Sequence, residues 1–205
     1  MAEMNDSFNE VTAEMLKVIS DYDSVTGFQG AYNIRQDSMC AGRKNSENIT
    51  IESKTDKPGI NIRVKPGTKG ETVYIPACVT HSNVDDLVYN DFFIGEGADV
   101  TIVAGCGVHS DGSETARHNG IHRFFLEKGA KVLYKEKHIG TGKGTGLRRI
   151  DPVTDAYLKE DSYLEMDTVQ LRGVDRTTRS TSAVLDKGAK IVVRERIMTD
   201  GDEDA

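Results

Sequence analysis

The stretch VYNDFFIGEGADVTIVAGCGVHSDGSETARHNGIHRFFLEKGAKVLY, Val88 to Tyr134, decides the fold because it holds two copies of one pattern. The segments IGEGADV (Ile94 to Val100) and LEKGAKV (Leu126 to Val132) return as LKEDSYL (Leu158 to Leu164) and LDKGAKI (Leu185 to Ile191), with starts 32, 32 and 27 residues apart. Each copy reads as an apolar residue, a polar pair, a tight turn at Gly-Ala (Asp-Ser in the third copy) and an apolar residue that opens a strand. Glycine suits such a corner because it adopts positive φ without a Cβ clash. Self-similarity at a fixed period marks a repeat fold, whose units bury their apolar faces only by stacking on their neighbours. The strands that follow, VTIVAG, VLYKEKHI and IVVRERIM, are rich in β-branched and aromatic residues and lack helical periodicity. An all-β parallel β-helix follows, rather than an ankyrin or armadillo array.

Composition narrows the function classes. The chain has 205 residues, 37% hydrophobic, with 20 Gly and no Trp, which suits one turn-rich β core. No apolar run is long enough to span a bilayer, and the start, MAEMNDSFNEV, is acidic where a secretory signal is basic, so a cytoplasmic protein without a membrane partner is expected. Of the net charge of -7, Asp200, Asp202, Glu203 and Asp204 supply four units. The lack of a basic excess argues against nucleic acid as a partner. Three cysteines, Cys40, Cys78 and Cys106, are an odd number far apart in sequence. They do not read as a disulfide framework and leave thiols for metal or sulfur chemistry.

Along the chain, Asn5 or Ser7 is expected to cap a helix that runs to about Asp21, with Val11, Met15, Leu16 and Ile19 on one face. Residues 27–46 read as a connector containing GAYNIR. The pattern becomes strand-like from Ile49, so the expected division is a helix and connector over 1–46, a β-helix core over 47–198, and an acidic tail or truncation point at 199–205. GTGKGTG (Gly140 to Gly146) reads as a flexible loop leaving the coil; it lacks the spacing and the Ser/Thr of a phosphate loop. A solenoid needs an atypical cap at each end. None is visible before Ala205, and the sequence is expected to stop short of one.

GAYNIR, SKTDKPG (Ser53 to Gly59), VYNDFFIGEGADVTIVAGCGVHSDG, HNGIHRFFLEKGAKVLY and KEKHIGTGKGTG together resemble the SufB/SufD family of iron–sulfur cluster assembly scaffold proteins, over almost the whole chain. The resemblance implies a right-handed parallel β-helix, a SufC-type ATPase partner, and a SufB/SufD-type second subunit or a homodimer. It also implies a sulfur donor protein and a transient iron–sulfur cluster as cargo. Cys106 matches the family's internal Gly-Cys segment on a proposed sulfur path, and His118 matches the histidine after the small loop. His138 and Cys78 match two further inner-wall positions. The family's C-terminal segment, with its essential cysteine or histidine and its ATPase-binding helices, has no counterpart before Ala205.

The residues support a similar reading by themselves. Cys106 and His138 are one 32-residue period apart, so stacking would set them side by side on successive turns, about 5 Å between strands, where they could share a metal. Lys137 and Lys143 are candidate cations that would favour the Cys106 thiolate. Glu136 and Glu195 occupy equivalent strand places and are expected to face inward with Lys partners. His118 and His122 form H-x3-H, but Asn119-Gly120 reads as a turn, which argues against a zinc pair, and His122 is expected to pack or face solvent. His109 is expected on an exposed loop. Arg172, Arg176 and Arg179 read as a solvated edge paired with Asp167, Asp175 or Asp186.

The expected function is an assembly scaffold without enzymatic turnover of its own. The competing reading is a structural β-helix module that self-associates through open coils. A polysaccharide lyase lacks an acidic or basic cluster on one outer face, and a cupin lacks its H-x-H pair.

Overall fold

One helix and fifteen strands form from residues 7–23 and 26–198, which a computed structural model describes. Helix α1 (Glu10–Ile19) begins where the Asn9 side chain accepts a hydrogen bond from the Thr12 amide at 2.8 Å, satisfying one of the orphan donors of the first turn. Ser7 lies upstream of this cap, and Asn5 lies outside the described residues, as do residues 199–205 of the expected tail.

The strands are β1 (Ala31–Gln36), β2 (Met39–Lys44), β3 (Ile49–Ser53), β4 (Gly59–Val64), β5 (Lys69–Val79), β6 (Asp85–Ile94), β7 (Asp99–His109) and β8 (Ala116–Leu126). They continue with β9 (Lys131–Thr141), β10 (Arg148–Ile150), β11 (Val153–Leu158), β12 (Tyr163–Arg172), β13 (Arg176–Thr177), β14 (Ser180–Leu185) and β15 (Lys190–Ile197). One sheet has the order β15-β12-β9-β7-β5-β1-β2. The other has β13-β10-β8-β6-β4-β3, with β11 between β8 and β14. From β5 onward the chain alternates between the sheets and pairs in parallel, giving a right-handed parallel β-helix of about four turns.

The repeat is the pairing register. Asp99 pairs with Lys131, and Lys131 with Tyr163, in steps of 32 residues, and Tyr163 pairs with Lys190 after the 27-residue step. The corners behave as glycine chemistry requires: φ is 63° at Gly97, 65° at Gly129 and 72° at Gly188. Asp161, at the one corner without glycine, still adopts 58°, a conformation Asp tolerates better than most residues. Inside, Ile62, Phe92, Ile102, Phe124 and Tyr134 belong to one buried core. Phe92 stacks on Phe124 at 4.5 Å between ring centroids. On the outside, Phe93, Phe125 and Tyr157 form a second ladder with 5.1 Å steps.

Three local expectations give way. The 27–46 connector contains the antiparallel hairpin β1–β2, and β1 pairs in parallel with β5, so this segment extends the sheet. With the antiparallel β3–β4 pair it covers the edges at this end of the solenoid. The glycine-rich loop lies on the preceding corner: the Gly144 and Gly146 amides donate to the carbonyls of Ser110 and Gly112 at 2.8 and 3.0 Å. A Cβ at Gly146 would fall 1.9 Å from the Glu114 carbonyl oxygen, so the glycines serve close backbone approach. Asn119-Gly120 is strand interior within β8. At the far end of the described chain, Val184, Leu185, Val193 and Ile197 are exposed on β14 and β15.

Helix α1 packs Met15, Leu16 and Ile19 on the outer face of the first sheet, with Cys78 and Ile34. This contact explains the glycines around Cys106. A Cβ at Gly105 would lie 2.6 Å from Ile19 Cβ, and one at Gly107 would lie 2.3 Å from Met15 Sδ. Both glycines face the helix, so strand alternation turns Cys106 inward. Gly105→Ala is expected to displace α1 and destabilise the fold by about 1–3 kcal/mol, the usual cost of overpacking, measured by urea unfolding. An unchanged midpoint would show that α1 does not seat against β7.

Candidate functional site

The 32-residue register sets Cys106 directly beside His138 on β7 and β9, and Ala104 beside Glu136. Alternation then directs all four to the interior. Small Ala104 leaves room for the Glu136 carboxylate. Donor atoms of Cys106, Glu136 and His138 all lie within 4.8 Å of one another, and all three residues are buried. Next in the stack, Thr168 lies beside Glu136 and Gln170 beside His138.

Glu136 is the most heavily partnered of the three. Its carboxylate accepts hydrogen bonds from Tyr134 Oη at 3.0 Å, Thr168 Oγ1 at 3.3 Å and Arg179 Nη2 at 2.7 Å. Burial raises the carboxyl, but the His138 and Arg179 charges outweigh it and hold the group well below its usual range, so Glu136 is an anion in a largely apolar wall. His138 Nε2 lies 3.4 Å from Glu136 Oε2 but makes no hydrogen bond. A buried nitrogen that makes no hydrogen bond, set beside a thiol and a carboxylate, is the arrangement a metal completes.

Burial, followed by the negative charge of Glu136, pushes the Cys106 thiol well above its ordinary value. The expected lysine helpers are elsewhere. Lys137 points outward to Asp21 at 2.8 Å, and Lys143 is exposed. The cation of this site is Arg179, which bridges Glu136 and Glu195, the latter at 2.5 Å. It therefore does not belong to a solvated edge. The three aspartates expected to pair with that edge pair with Arg196, Arg148 and Lys159. The lysine partners expected for Glu136 and Glu195 are replaced by this one arginine.

His118 also faces the interior, with Nδ1 3.1 Å from Asp86 Oδ2. Asp86 is clamped by Arg35, through Nε at 3.0 Å and Nη2 at 2.6 Å, and by Ser38 Oγ at 3.0 Å. His122 is buried between Phe92 and Tyr134, with ring centroids at 5.7 and 5.9 Å. Burial lowers its pKa to about 4, so it is neutral at pH 7. His109 ends β7 half-buried, bound to Thr141 Oγ1 at 2.9 Å through Nδ1, and is not on a loop.

Cys78 does not line the interior. Its register neighbour is Gly107, while Ala77 lies opposite Cys106. The one-residue offset places Cys78 on the outer face under α1 with Met15 and Leu16. There, burial and the Asp37 charge push its thiol up. The structure therefore brings Cys106 and His138 together, sets His118 nearby on the opposite sheet, and excludes Cys78.

A cavity of about 230 Å³ runs from Arg43, Ser53 and Lys57 inward to Cys106, His118 and His122. A second, of about 270 Å³, reaches His138 past Arg179 and Glu195. Among the described residues no helix is long and apolar enough to cross a membrane.

Sequence reading missed Asp86 and Arg179. Asp86 carried a signal, since it stands one 32-residue period before His118. Arg179 lies where the period shortens to 27, and spacing alone could not place it.

Comparison with known proteins gives relatives of one kind. The chain is 27% identical to an "Iron-sulfur cluster assembly SufBD family protein" of Archaeoglobus fulgidus, in an alignment covering 78% of the chain and 54% of that protein. Two SufBD family proteins of Methanothermobacter thermautotrophicus are 32% and 30% identical over 89 residues, 42% of the chain and 21% of each relative. The chain thus spans about half the length of the Archaeoglobus relative. No family model and no solved structure matches it. Over a parallel β-helix whose register follows the sequence repeat, the chain is thus similar to proteins of the SufB/SufD family.

Proposed function

We propose that the chain takes part in iron–sulfur cluster assembly as a scaffold subunit, accepting sulfur at Cys106 and helping to hold iron or a nascent cluster as cargo. The observation that carries this reading is the convergence of a thiol, a carboxylate and an imidazole within 4.8 Å inside the solenoid. Such a set suits iron: thiolate is the usual cluster ligand, and imidazole and carboxylate are the usual ligands of ferrous sites. In the sulfur step the Cys106 thiolate attacks the outer sulfur of a donor persulfide. The donor's S–S bond breaks and its thiol leaves, so no external oxidant or reductant is needed. The raised thiol must first lose its proton. Arg179 and His138 are the groups placed to offset the resulting charge.

In this reading the protein holds and releases its cargo without turnover of its own. A SufC-type ATPase drives conformational change, a SufB/SufD-type subunit or a second copy completes the assembly, a donor protein supplies the sulfur, and the setting is the cytoplasm. The family relationship supports these partners. Treatment with a small persulfide donor, followed by alkylation and peptide mass spectrometry, is expected to add one sulfur to the Cys106 peptide and none to the Cys78 peptide. Sulfur on Cys78 or Cys40 with none on Cys106 would sink the assignment.

A further inference from the structure

We propose that His118 and His122 form a second metal site, for a divalent first-row ion held by nitrogen donors without Cys106. The H-x3-H pair has a meaning on a strand that it lacks on a turn. His118, Gly120 and His122 alternate inward along β8, so the missing Gly120 side chain leaves a space between two imidazoles. A Cβ placed there would fall 2.6 Å from His122 Nε2 and 3.4 Å from His118 Nε2. Both ring nitrogens therefore border one point, and both residues line the same cavity.

The surroundings are those of a built site. Asp86 accepts from His118 Nδ1–H, which leaves Nε2 as the nitrogen that can ligate, facing the space above Gly120. A carboxylate behind a ligating histidine fixes tautomer and ring orientation in this manner. Arg35 and Ser38 hold Asp86 in turn, so the support reaches a further layer. Beside His122 in register stands Asn90, 7% exposed, whose buried Oδ1 accepts no hydrogen bond. It also lines the cavity and supplies a third donor atom. Of the cations lining the cavity, Arg35 is paired with Asp86 and Lys54 with Asp91, at 2.6 Å each, the latter carboxylate being shared with Arg123. Nitrogen and amide-oxygen donors select first-row divalent ions over the softer ions that thiolate prefers.

Cobalt(II) is the probe, because its visible bands report coordination and its thiolate charge-transfer band reports cysteine separately. The full chain carrying Cys106→Ser is expected to bind cobalt with visible bands and no thiolate band, and cobalt is expected to raise its melting temperature. Adding His122→Gln removes both effects. Adding Gly120→Ala, which fills the space and pushes the His122 ring aside without deleting any donor group, also removes both while the protein keeps its β circular dichroism. Loss of all cobalt binding in Cys106→Ser overturns the proposal, and so does binding that survives both Gly120→Ala and His122→Gln. A thiolate band in the parent that vanishes in Cys106→Ser tests the Cys106 site separately, so the two readings can fail independently.

Discussion

Asp86→Ala is expected to destabilise the protein by about 3–5 kcal/mol, the cost of stranding a buried charge by removing its partner. Asp86 has no exposed side-chain surface, and the Arg35 side chain paired with it is 13% exposed. Burial alone would raise the Asp86 carboxyl, but hydrogen bonds from His118 and Arg35 and their charges hold it well below the ordinary carboxylate range. A carboxyl depressed by folding contributes stability that is complete above its unfolded pKa, about 3.9. That contribution fades as pH falls through the lower folded value. The parent should therefore lose stability below about pH 4, and Asp86→Ala should lose less over the same range. Urea unfolding of Asp86→Ala, Arg35→Leu and the double variant measures the pair directly. The double variant is expected to recover much of the loss, because no charge is left unpaired; additive losses would show that the two groups are not coupled.

Arg179→Leu carries the second large effect, about 3 kcal/mol at pH 7, by stranding Glu136. In the parent the Glu136 carboxyl is held low against burial by His138 and Arg179, so its contribution is present at neutral pH and is lost only in acid. Without Arg179, burial is still opposed by His138 but no longer by the guanidinium, so the carboxyl rises. A raised carboxyl binds its proton more tightly in the folded state, so stability falls as pH rises through that range. The deficit of Arg179→Leu against the parent should consequently shrink as pH falls from 7 into the acid range. Unfolding curves across that interval check this, and a deficit that does not change with pH would place the charge balance of Glu136 elsewhere.

Much of this was legible in the sequence wherever the repeat governs position. The 32-residue spacing of IGEGADV and LEKGAKV is also the separation of Cys106 from His138, so reading the corner fixed the pair. The corner glycines were readable for the same reason, since positive φ is a local demand. Cys78 went astray because strands have a period of two and an offset of one residue reverses the face. Counting residues back from Cys106 could not detect that Ala77 is its neighbour. Asn119-Gly120 carries local turn chemistry, yet it lies within a strand and pairs in parallel with Leu87 and Val88 of β6, which outweighs propensity. Arg179 was hidden because its partner Glu136 is 43 residues away, a separation unrelated to the repeat.

Anaerobic incubation with ferrous iron and sulfide, followed by counting protein-bound iron and sulfide, tests the Cys106 centre most directly. The parent chain is expected to retain both, with an absorbance band of sulfide-bound iron. Cys106→Ala is expected to lose both while melting as a folded protein, and Glu136→Gln and His138→Gln to retain less than the parent. Equal iron and sulfide in Cys106→Ala and the parent would contradict a cluster site at Cys106, Glu136 and His138.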